Sequence, residues 1–329
     1  MRQHGHIDRL LDQAQRERRC VFPHTRAEDR ALRRRLTCGD LVKPFPGLFA
    51  SASYWRQLKP DEQVLHQVRA LALKHPSWVF AGPTAAAIHG LEHQWSIHRS
   101  GLFILSAKQG TGRSRHGLNR ICATASAFEE SVLSQTIPVT SMARTVADCA
   151  NVLPFHQALP IADSAAARDG SLPDDVRTVI GTIHRRRAPE RILSHMNPAS
   201  ENGGESLARG IMIEERFFTP TIQHVFVDPQ DPSHRYRGDF VWFLPGRRIL
   251  VAEYDGLAKY TDPTMTNRQS IRAVVHEQVQ RERDLTAWGV TAICRFDYED
   301  LMDRKKLVDK LSTLGVPRYP EGHADDYPR

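Results

Sequence analysis

The chain has 329 residues, 40% hydrophobic and 25% charged, with 45 Lys and Arg against 38 Asp and Glu for a formal net charge of +7. That length exceeds what one hydrophobic core serves, so several modules are expected, and the positive balance favours polyanionic partners without specifying a fold. Five scattered cysteines (Cys20, Cys38, Cys122, Cys149, Cys294) form no CxxC pair, no apolar stretch reaches the roughly twenty residues of a membrane helix, and Met1 to Arg19 is too polar for a signal peptide; a zinc ribbon, a dithiol exchange centre and a membrane partner are not expected, and a cytoplasmic location is.

Ile7, Leu10, Leu11 and Ala14 recur at helical spacing and predict a short amphipathic helix. After Pro23, Thr25 is placed to cap a second helix running from Arg26 toward Cys38, with Ala31, Leu32 and Leu36 inward and Arg30, Arg33, Arg34 and Arg35 outward, before Gly39 ends it. Leu41 to Ala50 reads as two short strands around a Pro-Gly turn. Helix, arginine-rich helix and hairpin predict a winged helix over residues 1–53. Two readings of Arg33 to Arg35 stand: a solvated helix face, or a surface for nucleic acid.

The run "RRRLTCGDLVKPFPGLFA" resembles the end of the recognition helix and the wing of AbiEi-type antitoxin domains from bacterial type IV toxin–antitoxin systems. Gly47, Phe49 and Ala50 match the family's glycine-aromatic-alanine pattern with one leucine interposed. The resemblance implies DNA as a partner, contacted by Thr25, Arg30, Arg33, Arg34, Arg35 and Lys43 at phosphates or guanine edges, with a cognate toxin protein as a second candidate partner.

Residues 54–196 alternate helical patterns with short strands and are expected to form an α/β middle domain. "FAGPTAAAIHGLEH" and "VTSMARTVADCA" are similar to segments that follow the winged helix in actinobacterial relatives of that family. Thr84 and Ser141 each precede a small-residue run, which predicts two N-caps. His89 and His93 stand four apart, a metal-ligand spacing, but Gly90 interrupts the helix and no third ligand is near in sequence. The run from Lys108 to Gly117 holds glycines and basic residues without the ending of a phosphate-binding loop, and reads as a mobile loop between strands, with phosphate contact as the alternative. A boundary is expected between Arg185 and Gly204, where a basic run meets a turn-rich patch.

From Glu205 the pattern is helix (205–216), strand (222–227), strand (239–243), strand (248–255), a polar excursion, helix (271–288) and strand (290–296), which predicts an α/β sandwich over residues 197–316 and a loose tail over 317–329. Apolar residues on both faces of the strands predict a sheet covered on both sides. Asp239 and Glu253 are equidistant from Gly246, so a regular hairpin centred there puts their β-carbons roughly 5 Å apart on one face, with Asp255 two residues farther along it. Buried like charges need a cation or protons to offset them, and oxygen ligands point to Mg²⁺ or Mn²⁺ held by Asp239, Glu253 and Asp255. Lys259 is the nearest lysine. The alternative is that Asp239 caps a strand while Glu253 and Asp255 form ion pairs with Arg237 and Arg247.

"GGESLAR", Asp239, "EYDGLAKY" and "RERDLTAWGVTAICRF" together resemble the PD-(D/E)XK nuclease superfamily, in the branch similar to very-short-patch-repair endonucleases. The resemblance implies a restriction-endonuclease-like fold, a metal-dependent endodeoxyribonuclease activity, and catalytic positions at Glu205, Asp239 and Glu253. It departs at Asp255, where the motif has lysine, leaving that role to Lys259 or Gln223. The whole is therefore expected to be a multi-domain α/β, DNA-binding protein with an endonuclease-like hydrolase domain; the alternative is a non-catalytic, antitoxin-like transcriptional repressor on a degenerate nuclease fold.

Overall fold

A computed structural model describes residues 2–107, 117–256 and 271–320. Of the expected loop from Lys108 to Gly117, only Gly117 therefore lies within the described residues. The fold is mixed α/β and divides into two compact units, Met1–Leu153 with Asp169–Ser194, and Pro154–Arg168 with His195–Arg329.

The first unit opens with α1 (Arg2–Arg16) and α2 (Arg26–Thr37), followed by a hairpin of β1 (Leu41–Phe45) and β2 (Leu48–Ser51). The expected cap is present: Thr25 Oγ1 accepts the Glu28 N–H at 3.2 Å, while the Glu28 carboxylate accepts the Thr25 N–H at 3.2 Å. These reciprocal bonds satisfy two donors that the helix start leaves open. Ile7, Leu11, Ala14, Val21, Leu32, Leu41 and Phe49 form the core beneath, so the apolar spacing of both helices is spent on one cluster. Gly47 turns the hairpin with φ +76°, a conformation that glycine takes without strain.

Next come α3 (Ala52–Gln57), α4 (Pro60–Lys74), α5 (Gly82–His89), a 3₁₀ turn at Trp95–Ser100, β3 (Leu102–Ser106), β4 (Leu118–Cys122), α6 (Ala125–Glu129), β5 (Val132–Ser134), β6 (Ile137–Val139) and α7 (Met142–Val152). β3 and β4 are parallel, β5 and β6 antiparallel, and single-residue bridges at Phe80 reach both Ile104 and Val139. Leu48 and Ala50 of the hairpin share one buried cluster with Val68 and Leu71 of α4, Phe80, and Ile104 of β3, so the core runs continuously through position 53. Ser141 caps α7 as expected, accepting from Arg144 N–H at 3.3 Å. Thr84 does not cap: α5 starts at Gly82 after Ala81, and the buried Thr84 hydroxyl instead accepts the Phe103 N–H of β3 at 2.8 Å. Gly82 and Pro83 extend the helix about one turn upstream of the expected start.

The chain then supplies α8 (Phe155–Arg168) to the second unit, returns with α9 (Leu172–Thr182) and α10 (Arg187–His195), and enters the second unit again at His195. The basic run at 185–187 leads into α10, and the change of unit between Ser194 and His195 falls within the stretch from Arg185 to Gly204.

The second unit continues with α11 (Gly203–Glu214), β7 (Thr221–Val227), β8 (Arg235–Leu244), β9 (Arg248–Asp255), α12 (Ile271–Ala287), β10 (Val290–Asp297), α13 (Tyr298–Met302) and α14 (Arg304–Leu314). The strands form one sheet in the order β10-β9-β8-β7, parallel between β10 and β9 and antiparallel elsewhere. On one face, Phe240, Trp242, Leu250, Ala252 and Phe296 pack with Leu207, Ile211 and Met212 of α11 and Leu307 and Leu311 of α14. On the other, Val241, Val251 and Phe226 pack with Leu285 of α12. The alternation read from the sequence is therefore largely buried on both sides, although Phe243 of β8 and Val225 and Val227 of the edge strand stay exposed. The expected tail is held at its start: Phe218 N–H donates to Pro317 O at 2.9 Å, Tyr319 N–H donates to Arg216 O at 2.8 Å, and Arg318 lies 4.3 Å from the Phe217 ring centroid.

α8 and α11 pack closely. Gly210 comes so near α8 that an added β-carbon would lie 2.7 Å from His156 Cα, inside van der Waals contact. Beside it the buried Arg209 donates to Asp163 Oδ2 of α8 at 2.6 Å and to His195 O at 2.6 Å. Asp163 also accepts the Asn197 N–H at 2.8 Å, so the buried pair is hydrogen-bonded on both sides, which is what makes it tolerable in a low dielectric. Gly210→Ala is expected to force the two helices apart and destabilise the second unit by about 1–3 kcal/mol, read as a lower urea midpoint; an unchanged midpoint would contradict this packing.

Candidate functional site

The turn between β8 and β9 sets the centre. Gly246 and Arg247 both have positive φ, +76° and +59°, and the register runs Leu244↔Arg248, Trp242↔Leu250 and Phe240↔Ala252. Those pairs are symmetric about Gly246 and end at Phe240↔Ala252, so Asp239 and Glu253 are the residues immediately beyond the last pair. Asp239 Oδ2 accepts the Tyr254 N–H at 2.8 Å, which ties the carboxylate of β8 to the backbone of β9.

Glu205 joins them from α11. Asn202 caps that helix by accepting the Glu205 N–H at 3.0 Å, so Glu205 falls in its first turn. Gly204 allows this seat, because a β-carbon there would collide with the Tyr254 ring. The Glu205 carboxylate is buried and accepts from Glu201 N at 3.0 Å, Asn202 Nδ2 at 2.8 Å and Gln223 Nε2 at 2.8 Å. Gln223 has φ +55° within β7, between the pairs Ile222↔Phe240 and His224↔Gly238, so it interrupts the ladder where β7 passes Asp239. Left-handed backbone at a non-glycine residue costs on the order of 1 kcal/mol, and here it accompanies a side chain turned to Glu205. Among the described residues, the buried Gln223 Oε1 has no hydrogen-bond partner.

Glu253 is only 6% exposed. Its Oε1 accepts from Arg281 Nη2 of α12 at 2.5 Å and its Oε2 from Arg295 Nε of β10 at 3.2 Å. Arg281 also donates to Arg237 O at 2.6 Å, and Arg295 to Glu282 at 2.8 Å. Burial pushes the Glu253 carboxyl above its ordinary range; the two guanidiniums oppose that push and the charge of Asp239 adds to it. Burial likewise raises Glu205, against the Glu201 N–H bond and with the Asp239 charge.

By strand alternation Asp239 and Glu253 share the face covered by α12, while Glu205 enters from α11, the helix on the other face, where Glu201, Asn202 and Gln223 hold its carboxylate. Asp255 stands at the end of β9, register-paired with Asp297, and the described contacts do not join it to the other three. Lys259 lies outside the described residues. The ion pairs anticipated from Arg237 and Arg247 are formed by other groups: Glu253 takes Arg281 and Arg295, and Arg237 pairs with Glu201. Neither Arg281 nor Arg295 stands out in the sequence as a partner of Glu253. The one available signal is Arg295, a charge inside the apolar run of β10, which the parallel register sets beside Glu253. By chemistry the oxygen donors and the unpartnered Gln223 Oε1 suit a hard divalent cation. Among the described residues, however, no three His, Cys, Asp or Glu side chains form a ready cation cage.

At the amino terminus, Arg30, Arg33, Arg34 and Lys43 are exposed. Arg33 pairs with Asp29 on the same helix at 2.8 Å, Arg35 is half-buried against Asp8 at 2.6 Å, and the Thr25 hydroxyl is used by the cap. The face open to a partner is thus Arg30, Arg33, Arg34 and Lys43, with Arg35 and Thr25 serving local structure.

The histidines of the middle stretch serve local structure and each other. His89 Nε2 donates to Thr140 O at 2.8 Å, and His93 Nδ1 donates to Leu91 O at 2.6 Å. Neutral His93 must then accept at Nε2 from His98 Nε2–H, 2.8 Å away, which leaves the buried His98 Nδ1 without a partner among the described residues. Burial, and the neighbouring His93, push His98 down to about 3. Above about pH 6.5 folded and unfolded chains both carry His98 neutral; below it only the unfolded chain takes the proton, so stability falls between about pH 6.5 and pH 3. The loss approaches about 1.4 kcal/mol per pH unit. Urea titrations at about pH 7, 5.5 and 4.5 are expected to show this steepness in the first unit and a shallower pH dependence in His98→Gln; parallel curves for the two proteins would refute it.

No family model matches the chain, and no curated protein sequence matches it. Among solved structures, the crystal structure of RV2827C protein from Mycobacterium tuberculosis is similar at 16% identity and a TM-score of 0.34, over 62% of this chain and 78% of that one; a likeness at that level is too slight to assign a fold or a function.

Proposed function

We propose that the protein binds duplex DNA through the helix and hairpin of its first unit, read as a winged helix, and that the carboxylate centre of its second unit is a phosphodiester-hydrolysing site of the PD-(D/E)XK type. What supports this reading is the placement of Asp239 and Glu253 immediately beyond the β8–β9 register at the end of a buried sheet, with Glu205 held by Gln223 where β7 passes Asp239. Carboxylates gathered at such a sheet end need positive charge, which Arg281 and Arg295 bring to Glu253 in the resting protein and which a divalent cation would also supply. Asp239, Glu253 and Glu205 are the residues to hold Mg²⁺ or Mn²⁺, with Asp255 as a further oxygen donor at the strand end. A divalent cation supplies, when bound, charge to polarise a phosphodiester and lower the pKa of water. Asp239 is pinned by the Tyr254 N–H, and Gln223 holds Glu205, so the oxygen donors are oriented before substrate arrives.

A second reading is an antitoxin-like repressor with a non-catalytic nuclease fold, partnered by a cognate toxin. It is favoured by the two guanidiniums on Glu253 and by Asp255 at the motif lysine position. Both readings have DNA as partner and differ on hydrolysis.

Titrating Mg²⁺ or Mn²⁺ into the full chain with supercoiled DNA is expected to produce nicking that falls at least about 100-fold in Asp239→Asn and in Glu253→Gln. Both changes keep the shape of the side chain while removing its charge. Cleavage unaffected by either change sinks the site; metal-independent operator binding with no cleavage under either ion favours the repressor.

For the amino-terminal face, Arg30→Glu with Arg34→Glu is expected to weaken duplex binding at least about tenfold. The slope of log affinity against log salt should become shallower by about 0.9 for each phosphate contact removed. Unchanged affinity and slope would exclude this helix from the interface.

A further inference from the structure

We propose that Arg281 is the resting counter-ion of Glu253 and competes with a divalent cation for that carboxylate, so that the centre is held closed by its own helix. This deepens the metal-site reading above and rests on it.

A carboxylate 6% exposed must be neutralised, and in the resting protein two guanidiniums do so. They are not equivalent. Arg295 belongs to β10, is register-paired with Glu253, bonds it at 3.2 Å and shares its charge with Glu282. Arg281 comes from α12, a helix outside the sheet, and makes the shorter bond at 2.5 Å. Its other described bond goes to the Arg237 carbonyl, and its guanidinium carbon lies 5.7 Å from the Tyr236 ring centroid. Arg281 thus spans β8 and β9 across the carboxylate face. Among the described residues its buried Nε has no hydrogen-bond partner, so the resting pose leaves one donor of a charged group unsatisfied there. A guanidinium and a divalent cation cannot both sit on Glu253 Oε1 without strong mutual repulsion, whereas Arg281, on a helix and 31% exposed, can withdraw its side chain toward solvent.

The test is Mn²⁺ binding by the full chain without DNA, read as loss of the free-ion electron paramagnetic resonance signal. Arg281→Met is expected to bind Mn²⁺ at least about tenfold more tightly than the wild-type protein, Arg281→Lys, which keeps the charge, to remain within about threefold of wild type, and the gain to vanish when Asp239→Asn is added. Arg281→Gln serves as a second charge-removing variant, and near-ultraviolet circular dichroism establishes that the variant measured is folded. Equal, Asp239-dependent affinities in wild type and in the charge-removing variants would overturn the competition while leaving the metal site standing. Binding that never depends on Asp239 in any variant would overturn the metal site, and the competition with it.

Discussion

A buried carboxylate cannot stay ionised in an apolar sheet without a partner, and that requirement at Glu253 governs how the second unit is assembled. Arg281 and Arg295 answer it from different elements, α12 and β10, so one side chain links the helix layer to two strands. Leu285, one turn beyond Arg281, packs on Val251 and Val241 nearby, so apolar and ionic contacts fix the same helix against the same face. Breaking the ion pairs would leave uncompensated charge inside the packed sheet, which is far more damaging than the loss of an exposed pair.

The opposite face is organised by close approach. Gly204 lets the start of α11 meet Tyr254, and Gly210 lets its middle meet α8, so a single helix is held at both points by positions that tolerate no β-carbon. Glu205 sits between them and inherits its location from this packing. The strained Gln223 then turns an amide onto it. The centre is thus built by three kinds of constraint: a hairpin register for Asp239 and Glu253, helix seating for Glu205, and backbone strain for Gln223.

How much of this is legible in the sequence follows from the range of each constraint. The Thr25–Glu28 capping box, the inward Leu32 and the hairpin at Gly47 are local, and each is readable from spacing within a few residues. The placement of Asp239 and Glu253 just past the last pair of the hairpin is readable because a tight turn converts symmetry about Gly246 into register. Thr84 looks like a cap in the sequence, but its hydroxyl serves a strand nineteen residues away. Arg281 and Arg295 escape notice for the same reason: their partner lies 28 and 42 residues distant, beyond any periodicity. α13 and α14 carry no clear signal of their own, because their apolar positions acquire meaning only against Phe296 and α11.

The excursion of α8 has a consequence for synthesis. Its buried side chains Leu159, Ile161, Ala162 and Ala165 belong to the second unit, but they leave the ribosome before α11, which begins at Gly203. For that interval a helix with an apolar face waits without its permanent neighbour, while α9 and α10 are being made. The nascent chain must therefore keep this face from sticking elsewhere, and a gene truncated to begin at the second unit's continuous stretch would encode α11 with one of its flanks missing.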